Sequence, residues 1–287
     1  MRLGVFTNSL GRYTPGEVAA RVQELGLQAV QLELAFQGEK IRWSELSAGQ
    51  CREIAALFQE RGIEIAALAG YSNLVDPDEN RRQARVAELV HLLKCARDLG
   101  AEMVVTESGG MNERNPWQPD PRNDTEETWG RLRDTVAGLC RVAEEAGSRL
   151  LLEPFWAHVV NGPERMRRLR QEVGSPALGF VLDPANLVTE QNATAVGVLL
   201  DHLFATLGDD FSLVHTKDAK PGPAGVALLG AGQGILDYPR FLGGIQRAGY
   251  TGPLIIEHVN ERGIPEVRDF LLRIGASLAG SRGGSLG

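Results

Sequence analysis

The chain has 287 residues and a formal net charge of −7 at pH 7, with 43% hydrophobic and 23% charged residues. These values are typical of a globular protein with a sizeable core, and the length suits one large domain. The acidic balance argues against a protein that neutralises many phosphates, so no nucleic-acid partner is expected. No apolar run reaches the roughly 18 residues needed to span a bilayer, so no membrane partner is expected either.

The N-terminus and the cysteines indicate the cellular compartment. Residues 1–6 lack the long apolar stretch and the small-residue cleavage site of a signal peptide, and they are typical of a first strand. Cys51, Cys95 and Cys140 are far apart and lie among Ala and Leu in helix-like segments. We therefore expect reduced, packed thiols in a cytoplasmic protein, without a cysteine-based zinc site.

Short β-rich runs alternate with longer helical patterns along the whole chain. The strand-like runs are Leu3–Thr7, Ala29–Leu34, Ile63–Ala69, Met103–Glu107, Leu150–Glu153, Gly179–Asp183, Ser212–His215 and Leu254–Glu257. The clearest helical patterns are Pro15–Leu25, Glu79–Leu99, Thr125–Ala146 and Tyr238–Ala248. Strict alternation predicts parallel strands joined by right-handed crossovers.

Eight such units predict an α/β fold of the (β/α)8 TIM-barrel class, as one domain over residues 1–276, followed by a small, polar and mobile tail over 277–287. An open doubly wound sheet is the competing architecture. It requires a glycine-rich fingerprint after the first strand, and residues 8–12 do not supply one.

Two segments break the rhythm of short connections. The segment Gly109–Asp124 is rich in Asn and Pro, and the segment Pro221–Gly234 is rich in Gly. Both follow strand ends, on the face where barrels bind their substrates. We interpret both as long loops and as lid candidates.

The last four strand-like runs each end in a residue that can bind a metal ion. These residues are Glu153, Asp183, His215 and Glu257, each about one βα unit from the next. Because the strand ends of a closed barrel converge, the four side chains are expected to meet at its C-terminal mouth. Three carboxylates and an imidazole in one place favour a divalent ion, whereas any one acidic residue alone is commonly a helix cap.

The motifs around these residues resemble those of the xylose isomerase-like TIM-barrel superfamily of sugar-phosphate isomerases and epimerases. The resemblance covers about residues 1–275, and its most specific parts are Leu152–Pro154, Leu182–Asn186, His215–Asp218, Leu229–Tyr238 and Gly249–Glu257. It implies that Glu153, Asp183, His215 and Glu257 bind one divalent ion. The oxygen-rich donor set with one nitrogen favours Mn²⁺, with Co²⁺, Mg²⁺ and Zn²⁺ as alternatives. The resemblance also implies that Glu153 and Glu257 are the catalytic acid and base.

The resemblance implies further site residues. Lys217 and Asp218 would line the site or support His215. Epimerases of this group carry a His three positions after the sixth-strand Asp, and here Asn186 stands at that position. This departure argues against a simple ketose 3-epimerase, although Asn186 can still donate a hydrogen bond to a substrate hydroxyl.

Four other residues near strand ends are candidates for substrate contacts, each with a structural alternative. His158 follows the fifth strand, Glu107 ends the fourth, and Tyr71 follows the third. Trp117 could stack on a sugar ring or belong to the core. Strand alternation predicts that His258 points away from the site.

A divalent ion that binds a carbonyl oxygen and the neighbouring hydroxyl acidifies the intervening C–H and favours an enediolate. This chemistry predicts a metal-dependent isomerase or epimerase of a small sugar or polyol. The main alternative is a dehydratase of an inosose or keto-sugar. The remote alternative is an endonuclease for DNA repair from the same superfamily, which would need extra histidines where this chain has Tyr71 and Glu107. Family resemblance also suggests a homo-oligomer.

Overall fold

The computed structural model describes residues 1–37, 39–40, 45–223 and 225–283. Its strands are β1 (Leu3–Phe6), β2 (Ala29–Leu32), β3 (Ala35–Phe36), β4 (Glu39–Lys40), β5 (Glu64–Asn73), β6 (Met103–Glu107), β7 (Arg149–Glu153), β8 (Leu178–Leu182), β9 (Leu213–Gly222), β10 (Gly225–Gly230) and β11 (Leu254–Ile256). Its helices are α1 (Pro15–Glu24), α2 (Ala48–Gln59), α3 (Glu79–Cys95), α4 (Glu126–Ala146), α5 (Pro163–Val173), α6 (Val196–Leu207), α7 (Tyr238–Arg247) and α8 (Ile264–Gly283).

Eight of the strands form a closed parallel barrel. They pair in the order β1-β2-β5-β6-β7-β8-β9-β11, and β11 pairs with β1 to complete the circle. The helices follow the strands and surround them, so the predicted (β/α)8 barrel is confirmed. Among the described helices, none is both long enough and apolar enough to cross a bilayer.

Local sequence sets the ends of the helices. Helix α1 begins at a capping box, in which the Thr14 side chain accepts from the Glu17 N–H and the Glu17 carboxylate accepts from the Thr14 N–H at 2.8 Å. Helix α4 ends at Gly147, whose φ of 67° suits a residue without a Cβ. Helix α8 continues to Gly283, into the segment 277–287 predicted as a tail, and residues 284–287 lie outside the described part of the chain.

Apolar side chains form two layers, one between the barrel and its helices and one inside the barrel. The inner layer is dominated by small and medium residues: Phe6, Ala29, Ala66, Ala67, Ala69, Val105, Leu151, Val181, Leu213 and Ile255. This packing fills the barrel, as is usual for the fold. Polar inward-facing side chains therefore lie above it, at the strand ends.

The predicted loop over Pro221–Gly234 is largely an antiparallel hairpin. Strand β9 continues past the barrel to Gly222, and β10 returns beside it with Leu228 opposite Ala219. Apolar residues such as Val226 and Leu228 favour a strand, and this preference outweighs the tendency of the glycines to form a loop. The segment Gly109–Asp124 is irregular, as predicted, except for a 3-10 turn over Pro121–Asp124.

Gly4 allows β1 to pack closely against its neighbouring strands β2 and β11. A Cβ at this position would lie 2.7 Å from the Ala29 backbone oxygen and 2.8 Å from Ile255 Cδ1. The backbone atom cannot move aside, so we expect Gly4→Ala to lower the free energy of unfolding by about 1–3 kcal/mol. Gly130→Ala in α4, where no atom lies within 4 Å, should instead raise it by about 0.5–1 kcal/mol. Urea unfolding of both variants checks the pair, and equal effects would contradict this interpretation.

Candidate metal centre and active site

Strand alternation turns the four predicted ligands into the barrel. Along β7, Leu150 and Leu152 pack in the outer layer and Leu151 packs in the inner one. Glu153 comes two residues after Leu151, so its side chain lies on the inner face. The same alternation in β8, β9 and β11 directs three further side chains inward: Asp183, His215 and Glu257.

The four side chains meet around one point. Their candidate ligand atoms all lie within 4.8 Å of one another, and no residue of the four is more than 6% exposed. His215 Nδ1 lies 3.4 Å from Glu153 Oε1 and 3.4 Å from Asp183 Oδ2. It lies 3.2 Å from Glu257 Oε1. Ligand atoms about 2.1 Å from a common ion are about 3–4 Å from one another, so the spacing suits one divalent ion.

The hydrogen bonding of the cluster also fits an ion. Three buried atoms make no hydrogen bond of good geometry, namely Asp183 Oδ2, His215 Nδ1 and Glu257 Oε1, although the ammonium of Lys217 forms ion pairs with the two oxygens. Buried polar atoms are normally paired, because leaving them unpaired is costly. A cation held by these atoms and by Glu153 would satisfy them. Three carboxylates and one imidazole are a donor set that suits Mg²⁺, Mn²⁺, Co²⁺ or Zn²⁺.

Lys217 is a second cationic group beside the same oxygens. Its Nζ lies 2.7 Å from Asp183 Oδ2, 2.5 Å from Glu257 Oε1 and 3.3 Å from Glu153 Oε1. Lys217 follows His215 by two residues along β9, so both side chains lie on the inner face. A divalent ion and the ammonium group therefore compete for the same negative charge.

The charged groups of the cluster shift one another's pKa values. Burial opposes the ionisation of Glu153 and Glu257, but Lys217 and His215 hold the pKa of Glu153 well below its usual range and that of Glu257 at about 2. Burial raises the pKa of Asp183 to about 6, although Lys217 opposes this. Burial would lower the pKa of His215, but the carboxylates Glu257 and Glu153 raise it well above its usual value. An ion that binds Nδ1 must therefore displace a proton.

A cavity of about 490 Å³ opens directly above this centre. One part of its wall is apolar and aromatic, formed by Phe6, Trp117, Pro154, Phe155 and Leu228. The other part is polar and includes Glu153 and Glu257. Trp117 comes from the irregular segment 109–124 and Leu228 from the β9–β10 hairpin, so both lid candidates contribute to the wall.

Five of the predicted substrate-binding residues line the cavity, namely Tyr71, Glu107, Trp117, Asn186 and Lys217. Three of them donate to Glu153 directly, and one of these is Lys217, whose Nζ donates to Oε1 at 3.3 Å. Tyr71 donates its hydroxyl to Glu153 Oε2 at 2.5 Å, and Asn186 Nδ2 donates to Glu153 Oε1 at 2.6 Å. Glu107 lies opposite Glu153 in the β6–β7 register.

His158 lies behind the cavity wall and not in it. Its ring is 4.9 Å from the Trp117 ring and 5.0 Å from the Phe155 ring, measured between centroids. Burial lowers the pKa of His158 to about 4, so the imidazole is neutral at pH 7. Its position supports the two aromatic side chains that face the cavity.

Asp218 also lies outside the cavity lining, and its carboxylate anchors the following loop. It accepts the backbone N–H groups of Ala219 at 2.8 Å, Gly232 at 3.1 Å and Leu236 at 3.0 Å. Because Asp218 follows Lys217 by one residue, strand alternation turns it to the opposite face. Its contacts fix the turn that follows the β9–β10 hairpin.

Several residues of the site were missed by sequence reasoning, among them Asn8, Glu33, His258 and Gln31. His258 lines the cavity although alternation after Glu257 predicts the opposite. Its φ of 53° is unusual for a non-glycine residue and redirects the chain at the end of β11. Gln31 is completely buried at the inner face of β2. The available signal was a polar residue inside a strand that is buried on both faces.

Comparison with known proteins agrees with this geometry. The family model described as "Xylose isomerase-like TIM barrel" matches residues 19–274. A 2-epi-5-epi-valiolone 7-phosphate 2-epimerase from Actinoplanes sp. is 30% identical over 212 residues, which cover 73% of this chain and 70% of that protein. A fructoselysine 3-epimerase from Escherichia coli O157:H7 is 25% identical over 268 residues and covers 90% of each chain.

A solved structure shares the fold. It is a xylose isomerase-like TIM-barrel protein from Mycobacterium smegmatis in complex with magnesium, with a TM-score of 0.71 and 20% identity. The match covers 96% of this chain and 97% of that one.

Ion binding tests the metal centre directly. We expect the native protein to bind one Mn²⁺ per chain, and Asp183→Asn to weaken binding by at least about tenfold. Lys217→Met should tighten it, because a competing positive charge is removed. Isothermal titration calorimetry measures all three. Asp209→Asn, at an exposed carboxylate in the loop before β9, is the control, and an Asp183→Asn affinity equal to that of this control would contradict the assignment.

Glu107 predicts a pH dependence of stability. Burial and the charge of Glu153 raise the pKa of Glu107 from 4.5 to about 8. The folded protein thus retains a proton that the unfolded chain loses, and stability from this group falls as pH rises from 4.5 to 8. The side chain of the Glu107→Gln variant stays neutral. Between pH 4.5 and pH 8 the free energy of unfolding of this variant should therefore rise relative to that of the native protein.

Urea unfolding in EDTA at pH 5, 6.5 and 8 measures this difference. The exposed variant Glu60→Gln serves as the control and should run parallel to the native protein. A Glu107→Gln difference that stays constant with pH would show that the carboxyl of Glu107 is already ionised at pH 5.

Proposed function

The chain belongs to the xylose isomerase-like TIM-barrel family, and on this premise we propose that it is a metal-dependent epimerase or isomerase of a small keto- or aldo-sugar. One observation carries the proposal. Glu153 and Glu257 reach the same buried centre from β7 and β11, two strands that are separated in the barrel by β8 and β9. Two carboxylates that approach one substrate from different sides are what a proton transfer with two bases requires.

The chain's own residues perform the proton transfer. One glutamate removes the proton from the carbon next to the carbonyl, and the other returns a proton. Return to the opposite face of the same carbon gives an epimer. Return to the neighbouring carbon, together with transfer of the hydroxyl proton from one oxygen to the other, exchanges aldose and ketose. Hydrogen bonds from Tyr71 and Asn186 to Glu153 hold this carboxylate in place during the transfer.

The four residues Glu153, Asp183, His215 and Glu257 would hold the ion. A divalent ion there supplies Lewis-acid polarisation of the substrate oxygens and so acidifies the C–H between them. We propose Mn²⁺, because mixed carboxylate and imidazole ligands suit it, with Mg²⁺, Co²⁺ and Zn²⁺ as alternatives. A protein of the same fold was solved in complex with magnesium, which supports a divalent ion for this chain.

The cavity walls indicate how a sugar is held. Trp117 and Phe6 offer apolar surface to the C–H face of a ring, and Asn186 and Lys217 offer donors to its hydroxyls. A neutral carboxyl at Glu107 can donate as well as accept. We assign substrate binding to these side chains and to Tyr71. His158 supports Trp117 from behind, and Asp218 positions the hairpin.

The size of the site favours a sugar that carries a substituent. A second, more open groove of about 1020 Å³ adjoins the cavity, and Asn8 and His258 line both. Its other lining residues are mostly polar and include Ser9, Asn260 and Arg262. Two relatives are named as epimerases of substituted substrates, a valiolone 7-phosphate and fructoselysine. The predicted homo-oligomer and cytoplasmic location stay predictions.

Solvent exchange tests the reaction. We expect the Mn²⁺-loaded protein, in D₂O, to incorporate deuterium next to the carbonyl of at least one ketose from a panel. The panel contains D-fructose, D-tagatose and D-psicose, their phosphate esters and an N-linked fructosyl amine. Proton NMR measures the exchange. Glu153→Gln and Glu257→Gln should each slow it by about 10²–10⁴-fold, and EDTA should abolish it until Mn²⁺ is restored.

The controls separate the alternatives. Glu60→Gln, an exposed surface variant, should keep native exchange rates. Absence of exchange across the panel with ion-loaded protein would contradict the proposal. An ultraviolet band from an enone product would instead identify a dehydratase, and nicking of a duplex with an abasic site would identify the repair endonuclease.

A further inference from the structure

Gln31 lies at the centre of a hydrogen-bonded chain below the metal centre. Its side chain is completely buried, and an amide in such a place must satisfy both its oxygen and its nitrogen. The oxygen Oε1 lies 2.8 Å from His215 Nε2, and the nitrogen Nε2 donates to the Tyr71 hydroxyl at 2.9 Å. Tyr71 in turn donates to Glu153 Oε2 at 2.5 Å. One amide thus links a predicted metal ligand to a predicted catalytic base.

The direction of every bond in the chain is determined. Because Tyr71 uses its only hydrogen on Glu153, its oxygen must accept from Gln31, and the NH₂ group of Gln31 must face Tyr71. The amide oxygen then faces His215 and accepts the hydrogen on Nε2. The other ring nitrogen, Nδ1, faces the three carboxylates and offers its lone pair to an ion once its proton is displaced. A reversed amide would deprive Glu153 of its donor and would favour a hydrogen on Nδ1, where it blocks an ion.

The barrel positions Gln31 by an irregularity in its register. Between β2 and β5, Val30 pairs with Ile65 but Gln31 pairs with Ala67, so one residue of β5 is left without a partner at this point. Such bulges redirect side chains and are frequent beside active sites. The ring of Phe6, from β1, lies 5.8 Å from that of Tyr71 and supports the next member of the chain.

We propose that Gln31 is a positioning residue that aligns His215 and Glu153 on the same ion. It selects the Nε2–H form of His215, so that Nδ1 is free to bind, and through Tyr71 it fixes one oxygen of Glu153, so that the other faces the centre. Loss of a residue that hydrogen-bonds to a metal ligand typically weakens ion binding by about 10–100-fold. The inference rests on the metal site of the proposed function, but it does not depend on which sugar reacts.

Three variants separate the two ends of the amide. Gln31→Met keeps a similar volume and removes both hydrogen bonds. Gln31→Glu keeps an acceptor for His215. Tyr71→Phe removes only the link to Glu153. Gln59→Met, at an exposed position that ends α2, is the matched control for the loss of an amide, and circular dichroism shows that each variant is folded.

The first readout is Mn²⁺ affinity from electron paramagnetic resonance, measured without sugar. We expect Gln31→Met to weaken binding by about 10–100-fold, and the control to leave it unchanged.

The second readout is the ¹⁵N spectrum of histidine in Mg²⁺-loaded protein. The native protein and Gln31→Glu should show a hydrogen on Nε2 of His215, and Gln31→Met should lose this signature. Tyr71→Phe should keep both the signature and the affinity within a few-fold, while kcat falls more than KM rises.

The outcomes also separate this inference from the proposed function. Native Mn²⁺ affinity and an unchanged His215 spectrum in a folded Gln31→Met protein would overturn the role of Gln31, even if the native enzyme exchanges sugar protons. Conversely, ion binding that depends on Gln31 in a protein that exchanges no sugar proton would support Gln31 and contradict the epimerase.

Discussion

The structure depends on one electrostatic constraint, the burial of three carboxylates at a single point. Asp183 and Glu257 are almost inaccessible to solvent, and Glu153 is barely more exposed. Carboxylates so close repel one another and lose their hydration, which costs far more than packing alone recovers. Lys217 and His215 offset part of that cost. A divalent ion bound at this point would offset more of that cost, so the chemistry of the site and the stability of the fold depend on the same charges.

The barrel makes this concentration of charge feasible, because each strand contributes one inward residue at its end. The apolar layer beneath the site, with Leu151, Val181 and Ile255 among its members, closes the barrel and excludes water from below. Several polar neighbours of the carboxylates are donors, such as Tyr71 and Asn186. A rigid set of donors around negative charge is the arrangement in which proton transfer needs little reorganisation.

Much of this could be predicted from the sequence, because strand ends and alternation are local properties. Glu153 and its three partners each follow a clear apolar run, so the barrel and the cluster followed from one rule. The same rule, applied one residue further, would have placed Asp218 outside the cavity. It fails at His258, where a positive φ breaks the alternation. The β9–β10 hairpin was missed because its glycines concealed the strand character of Val226 and Leu228, and Gln31 because its partners lie far away in the sequence.

In the proposed mechanism two of the four ligands, Glu153 and Glu257, are also the acid–base pair, and this overlap limits what a substitution at the centre can reveal. Replacing Glu153 removes a ligand and a base together, so the loss of activity does not tell which role mattered. Its two oxygens, however, have different surroundings: Oε2 accepts from Tyr71, whereas Oε1 lies beside Asn186 and Lys217. Groups that touch only one oxygen act on one role at a time. We therefore expect substitutions of these neighbours, more than of the carboxylates themselves, to separate ion binding from proton transfer.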